Sequence, residues 1–379
     1  MPWSEVSLMS SRKEFVSLAR QEGSHFRGLC RRFGISPKTG YKWANRHAAE
    51  GEAGLKDRPR QPKSSPRRTP PPVEKRLLSA RDAHPAWGAR KLLRWLSDQG
   101  QTGLPGPSTV TAILRRHGRL DPTESAKHTA WTRFEHSAPN DLWQMDFKGH
   151  VAMRLGRCHP LTVLDDHSRY AVCLRACLDE QTATVQEALT ETFRRYGLPW
   201  RMTMDNGPPW GGDADSPYTT LTVWLLRLGI RVGHSRPYHP QTQGKDERFH
   251  RTLKAELLGR TTFADQTEAQ RRLDAWRDLH NLERPHQALG MMPPARRYQP
   301  STRMFPEALP PIEYAPDDLV RKVQGKGELS YRGREWKVGK AFQGLPVALR
   351  RTAVDGVIKV FFCHQPIASI NLLAPPYTI

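Results

Sequence analysis

The sequence predicts a multi-domain chain: α-helical helix-turn-helix units at the N-terminus, an α/β core with a mixed sheet, and a small all-β barrel at the C-terminus. Three observations predict it. Apolar residues recur at helical spacing to about residue 120, strand and helix patterns mix over 141–299, and short glycine-punctuated strands fill 317–379. Proline-rich or polar linkers at 57–72, 121–140 and 300–316 part these regions. Charge is segregated as well: residues 1–135 hold 26 Lys+Arg against 12 Asp+Glu, whereas 136–300 hold 22 against 19.

The first helix-turn-helix domain spans 1–56. Phe15, Val16, Leu18 and Ala19 mark one apolar face, and Phe26, Leu29, Cys30 and Phe33 a second. Gly34-Ile35 is the turn; Ser36 offers an N-cap and Pro37 the first helical position of a helix through about His47. That helix would expose Lys38, Lys42, Asn45 and Arg46 to a major groove, although the same pattern suits a plain three-helix core with a solvated basic face. Gly40 weakens the helix slightly.

The 57–72 stretch, with six prolines and five basic residues, reads as an extended linker that can track phosphates or simply space two domains. A second helix-turn-helix domain follows at 73–120. Its stripes are Val73, Leu77 and Leu78, then Ala89, Leu92, Leu93 and Leu96, then Val110, Ile113 and Leu114 behind a Ser108 cap. Arg90, Lys91, Arg115 and Arg116 lie off these stripes and are candidate DNA contacts.

Over 141–299 the order is three strands (142–149, 161–165, 170–177), a helix at 182–196, a strand ending at Asp205, a helix at 219–228, a strand at 230–235, and helices at 244–258 and 265–282. That order describes a mixed sheet with helical layers. At 317–379, Val347-Ala348-Leu349, 357–361 and 367–372 are apolar enough to line a small barrel.

Composition bounds the function. A net charge of +21 on 379 residues favours a polyanionic partner, double-stranded DNA. No run of 18 apolar residues appears, so no membrane role is expected. The five cysteines are scattered without C-x-x-C spacing and the N-terminus lacks a signal-peptide pattern; these predict a cytoplasmic protein without structural zinc, and the expected DNA partner would make it nucleoid-associated.

Asp146, Asp205 and Glu247 carry the chemistry. Two lie at strand positions and one on a helix, with no Cys or His cluster beside them, a donor set that suits Mg²⁺ or Mn²⁺. Such a site can hold two ions roughly 4 Å apart for an in-line phosphoryl displacement. Each acid also has an ordinary reading: Asp146 as a surface residue, Asp205-Asn206-Gly207 as a hairpin turn. On a helical wheel Asp246 falls nearer the side of Phe249, Leu253 and Leu257 than Glu247 does, so periodicity does not select the glutamate. Asp165 and Asp166 read as a strand-end network.

Four segments resemble the core of the DDE transposases of bacterial insertion sequences, which is similar to that of retroviral integrases. They are Trp143-Gln144-Met145-Asp146, the run 161–169, Asp205-Asn206-Gly207, and 239–248 ending Lys245-Asp246-Glu247-Arg248. Asn281-Leu282-Glu283-Arg284-Pro285-His286 is similar to the motif that closes that core. Residues 34–43 and 84–92 resemble the family's helix-turn-helix segments, and the tail resembles an integrase-type barrel.

The resemblance implies a ribonuclease-H-like fold and a metal-binding triad of Asp146, Asp205 and Glu247, choosing Glu247 over Asp246. It implies water attack at each transposon end to free a 3′-OH, then attack of that hydroxyl on target DNA by a dimer or larger homo-oligomer. Lys245, Arg248, His250, Arg251 and Lys254 would grip phosphates along the triad helix. Two departures stand out: 41 residues separate the second and third acids, more than is usual, and Asp246 replaces a small apolar residue. The alternatives are a metal-dependent nuclease without strand transfer and a DNA-binding regulator with a degenerate core.

Overall fold

A computed structural model describes residues 8–58, 68–120, 135–212, 216–234 and 244–374. Most of the linkers expected at 57–72 and 121–140, and the motif residues before Gly244, lie outside the described residues. Contacts divide the chain into Met1–Arg68 and Thr69–Ile379.

In the first unit, α1 (Leu8–Ala19), α2 (Phe26–Arg32) and α3 (Pro37–Glu50) enclose Phe15, Val16, Cys30, Trp43 and Leu55. Ser36 Oγ accepts from Thr39 N at 3.2 Å, the expected cap behind Pro37. Gly40 has a packing reason: a Cβ there would lie 2.7 Å from Cys30 Sγ and 2.9 Å from Phe15 Cζ.

The second unit opens with α4 (Pro71–Ala83), α5 (Ala89–Asp98) and α6 (Pro107–Arg116), packed around Leu77, Trp87, Leu92, Val110 and Leu114. The cap of α6 differs from the reading: Gly106 precedes Pro107, and Ser108 lies inside the first turn.

The central sheet comprises β1 (Trp143–Phe147), β2 (Val151–Ala152), β3 (Arg157–Asp165), β4 (Ala171–Cys177), β5 (Arg201–Met204) and β6 (Arg231–His234). β3 pairs antiparallel with β1, β2 and β4, while β1, β5 and β6 run parallel. One face packs on α7 (Thr182–Tyr196) and α8 (Thr220–Arg227) through Val185, Leu189, Phe193 and Leu225. The other receives α9 (Gly244–Leu253) and α10 (Gln266–Asp278) through Phe249, Leu253, Leu273 and Trp276. Both helices end in a π-turn, Lys254–Leu258 and Leu279–Glu283. This is the mixed sheet between helical layers that the order of elements predicts.

The C-terminal region is all-β but is not a closed barrel. β7 (Leu319–Lys322), β10 (Pro346–Arg351), β11 (Val357–Phe362) and β12 (Gln365–Asn371) form an open antiparallel sheet in the order β12-β11-β10-β7, and among the described residues β8 (Glu328–Tyr331) pairs with β9 (Arg334–Lys337) alone. Closure would need β7 to reach β12; β7 is four residues long and all of them are exposed. The edge of β6 is instead covered by Gln365, whose Oε1 accepts from Val232 N and whose Nε2 donates to Val232 O, both at 2.9 Å.

Candidate catalytic centre

Strand pairing brings the first two acids together. Trp143 lies opposite Met202 and Gln144 opposite Thr203 in the parallel β1–β5 ladder. Carrying that register two residues further sets Asp205, just past β5, level with Asp146. Burial and then the Asp205 charge push the Asp146 carboxyl up to about 6, against the pull of the Phe147 amide and Lys148. A carboxyl raised by a neighbouring negative charge is a place where a divalent cation is favourable.

The head of α9 lies over the same strands. Asp246 is 1 % exposed, and burial followed by the Asp146 charge pushes it well above the usual carboxylate range. Thr162, opposite Asp146 in the β1–β3 ladder, donates Oγ1 toward both Asp246 oxygens at 3.2 and 3.3 Å. His250 Nε2 lies 2.8 Å from the same Oγ1, and burial holds its imidazole down to about 3. Asp146, Asp246 and His250 offer ligand atoms within 4.8 Å of one another. Glu247 faces outward and is exposed; its charge still bears on Asp246.

Sequence reasoning missed the Thr162–Asp246–His250 network and had set His250 among the phosphate contacts. The available signal was the i,i+4 spacing of Asp246 and His250 with the wheel position of Asp246 beside Phe249 and Leu253, all four of which are buried.

Two further basic residues are occupied differently from the expectation. The Lys245 ammonium pairs with Asp166, whose carboxylate also accepts from His136 N and Gln144 Nε2, both at 2.9 Å. Lys91 is half-buried beside Arg284, Glu256 and Arg248, and desolvation brings it down to about 7. Both residues keep intermediate exposure, so each stands beside protein groups that a DNA phosphate would have to share. Arg116 is exposed but donates to Glu74 at 2.6 Å. Lys38, Lys42, Asn45, Arg90, Arg115, Arg248, Arg251 and Lys254 are exposed; Arg46 is half-buried, with its guanidinium 5.3 Å from the Trp43 ring centre. Asp165 accepts from Asn140 N, Ser168 N and Ser168 Oγ, which ties the β3–β4 turn together.

Known families match along the chain in an order that parallels this architecture. A helix-turn-helix domain matches residues 11–63 and a homeodomain-like domain 39–114. The integrase core domain matches 136–240 and, in a second form, 228–294; the C-terminal domain of IS481-family transposases matches 318–375. Among relatives, the putative transposase for insertion sequence element IS5376 of Geobacillus stearothermophilus is 24% identical over 96% of this chain and 88% of its own length. The insertion element IS476 uncharacterized 39.2 kDa protein of Xanthomonas euvesicatoria is 29% identical, covering 42% of this chain and 44% of that protein. A solved HTLV-2 integrase catalytic core domain in complex with magnesium is 14% identical with a TM-score of 0.34, over 44% of this chain and all of that one.

Helix-turn-helix domains ahead of a mixed-sheet integrase core define an enzyme of the transposase and integrase class. The C-terminal match and the full-length relative narrow this further. The chain is a DDE transposase of an insertion sequence with an integrase-like core.

Proposed function

We propose that this transposase binds the ends of its insertion sequence and performs divalent-metal-dependent strand cleavage and strand transfer, with Asp146, Asp205 and Glu247 as the catalytic carboxylates. The observation that carries the reading is the β1–β5 pairing that sets Asp205 at the end of the strand beside half-buried Asp146, whose carboxyl is raised. That donor set fits a hard cation, since it is carboxylate oxygen, and the described cysteines of the core are buried thiols. Two Mg²⁺ or Mn²⁺ ions held by the three acids would supply charge stabilisation for the attacking and leaving oxygens.

The chain's own residues orient the DNA. Arg248, Arg251 and Lys254 lie on the exposed side of α9 and its π-turn, where they would bind phosphates flanking the scissile bond. Water hydrolyses one phosphodiester at each end and leaves a 3′-OH; that hydroxyl then displaces a 3′-oxygen in the target strand. Each step exchanges one P–O bond for another and needs no serine or tyrosine nucleophile. End recognition falls to residues 1–56, through Lys38, Lys42, Asn45 and Arg46 on α3, assisted by Arg90, Arg115 and Arg116 of the second helical domain. Two ends joined to one target require two centres, hence a dimer or larger assembly on DNA.

The test is incubation with a labelled duplex taken from the DNA flanking the reading frame, with Mn²⁺. Discrete nicks that expose 3′-OH ends, followed by joined products, support the reading. Nicks without joining would leave a nuclease, and binding without nicks a regulator.

A further inference from the structure

The residues 84–95, which the sequence places in a DNA-binding unit, turn much of their chemistry toward the catalytic core. Trp87 is 1 % exposed and its indole Nε1 donates to Glu256 Oε1 at 3.1 Å. Trp276 Nε1 donates to the other oxygen at 3.2 Å, and Arg284 Nε reaches both, at 2.9 and 3.2 Å. The Glu256 and Arg284 side chains are each only 7% exposed. A carboxylate withdrawn this far from water is tolerable only when its lone pairs are met, and two indoles and a guanidinium meet them.

Of these four residues, only Trp87 comes from the α4–α6 region, on the connection between α4 and α5. It is joined by Trp95, whose Nε1 donates to Glu283 Oε2 at 3.1 Å, and by Leu279 of the core, which packs against the α4–α6 cluster. Glu256 lies nine residues beyond Glu247 on one continuous helical run, α9 and its π-turn. The α4–α6 helices are thereby fastened to the element that carries the proposed third carboxylate. Their outer side still presents Lys75, Arg76, Arg90 and Arg115.

We infer that the Trp87–Glu256 contact is a positioning latch: it holds the α4–α6 helices at a fixed register to the catalytic helix and so sets which phosphodiester of the bound end duplex reaches the carboxylates. The inference rests on the proposed cleavage activity. Trp87 touches no DNA in this role, and the contact acts on where the strand is cut.

The test uses full-length W87F, which keeps an aromatic ring without the N–H, and E256Q, which leaves the α4–α6 core untouched. Each is assayed with the labelled flanking duplex and Mn²⁺. Nicking at the wild-type position should fall at least tenfold, with new nicks at adjacent phosphodiesters, while duplex affinity stays within about threefold. The W87F/E256Q pair should be no worse than E256Q alone, because Glu256 also meets Trp276 and Arg284 and W87F removes only one of the contacts made to it. Lower yield at an unmoved position would mark a purely structural loss and overturn the latch. An affinity loss matching the cleavage loss would make this face a DNA contact, which also overturns it. Hydrogen exchange needs no cleavage and separates the latch from the proposed activity. The α5 amides should exchange at least tenfold faster in E256Q, and unchanged exchange would sink the inference even if wild-type protein made no nicks.

Discussion

Lys245 and Asp166 form a buried ion pair that pins the first turn of α9 to the β3–β4 turn. Asp166 is 1 % exposed and also holds His136 N and Gln144 Nε2, so removing the ammonium strands a carboxylate in the interior. Lys245→Met should therefore cost about 3 kcal/mol of stability, at the lower end for a broken buried pair because Lys245 keeps some exposure. Affinity for duplex DNA and its salt slope should stay at the wild-type level. Urea unfolding beside a binding titration checks this; a stable variant with weakened, less salt-dependent binding would return Lys245 to the phosphate contacts.

Asp205→Asn should abolish nicking while leaving DNA binding nearly intact. The substitution removes one charge from the pair that raises Asp146, and with it part of the cation's oxygen shell. A loss of at least roughly 10²–10³-fold is expected, by comparison with other preorganised electrostatic groups. Gel-based nicking with Mn²⁺ measures it, and near-wild-type rates would remove Asp205 from the centre.

The strand and helix order of the core was legible because its strands are apolar runs and its helices carry long stripes. The parallel pairing that sets Asp205 beside Asp146 was not, since register depends on contacts between segments far apart in the chain. The surroundings of Lys91 and Lys245 were hidden for a related reason. A lysine off an apolar stripe reads as solvated, yet both are only half-exposed, Lys91 near Glu256 of the core and Lys245 paired with Asp166. The open C-terminal sheet was likewise hidden, because alternation within a strand says nothing about whether the first and last strands meet.

The Met1–Arg68 unit, with its own apolar core around Phe15 and Trp43, should bind duplex DNA when produced alone. Lys38 and Lys42 are exposed on α3, and Lys42 Nζ lies 4.3 Å from the Trp43 ring centre. Replacing both by alanine should weaken binding across all sequences and lower the salt slope by about one per lost phosphate contact. Anisotropy titrations over a salt series measure this; an unchanged slope would clear both lysines of phosphate contact.

Acid should destabilise the core through buried His280 and half-buried His286. Burial, then the Arg284 charge, holds His280 down to about 3, and His286, 4.7 Å away ring to ring, is pushed well below its ordinary value by burial first. Both are neutral in the folded chain and become protonated on unfolding below about pH 6.5. Their contribution is present above that pH and is lost as pH falls below it, for His280 down to about 3 at up to about 1.4 kcal/mol per pH unit. Urea midpoints at pH 7, 6 and 5 should decline accordingly, and His280→Gln should flatten the decline even where it lowers stability at pH 7. Equal slopes would show that His280 is not a source of the acid loss.

Glu247→Gln and Asp246→Asn should part sharply. Proximity favours Asp246, which shares a 4.8 Å cluster with Asp146 and His250. Accessibility favours Glu247. Ions that act on a scissile phosphate must sit where duplex DNA can reach them, and Glu247 and Asp205 are exposed whereas Asp246 is sealed beneath Thr162 and His250. With its carboxyl pushed well up, Asp246 favours the neutral form. An amide of the same shape can still accept from Thr162, so the asparagine variant should keep activity within about threefold. Glutamine at 247 loses an anionic ligand on the DNA side and should cost at least roughly 10²-fold in both Mg²⁺ and Mn²⁺. Parallel nicking assays decide it. Loss in Asp246→Asn with activity kept in Glu247→Gln would make the buried aspartate the third ligand and place the catalytic ions deeper, against β1 and β3.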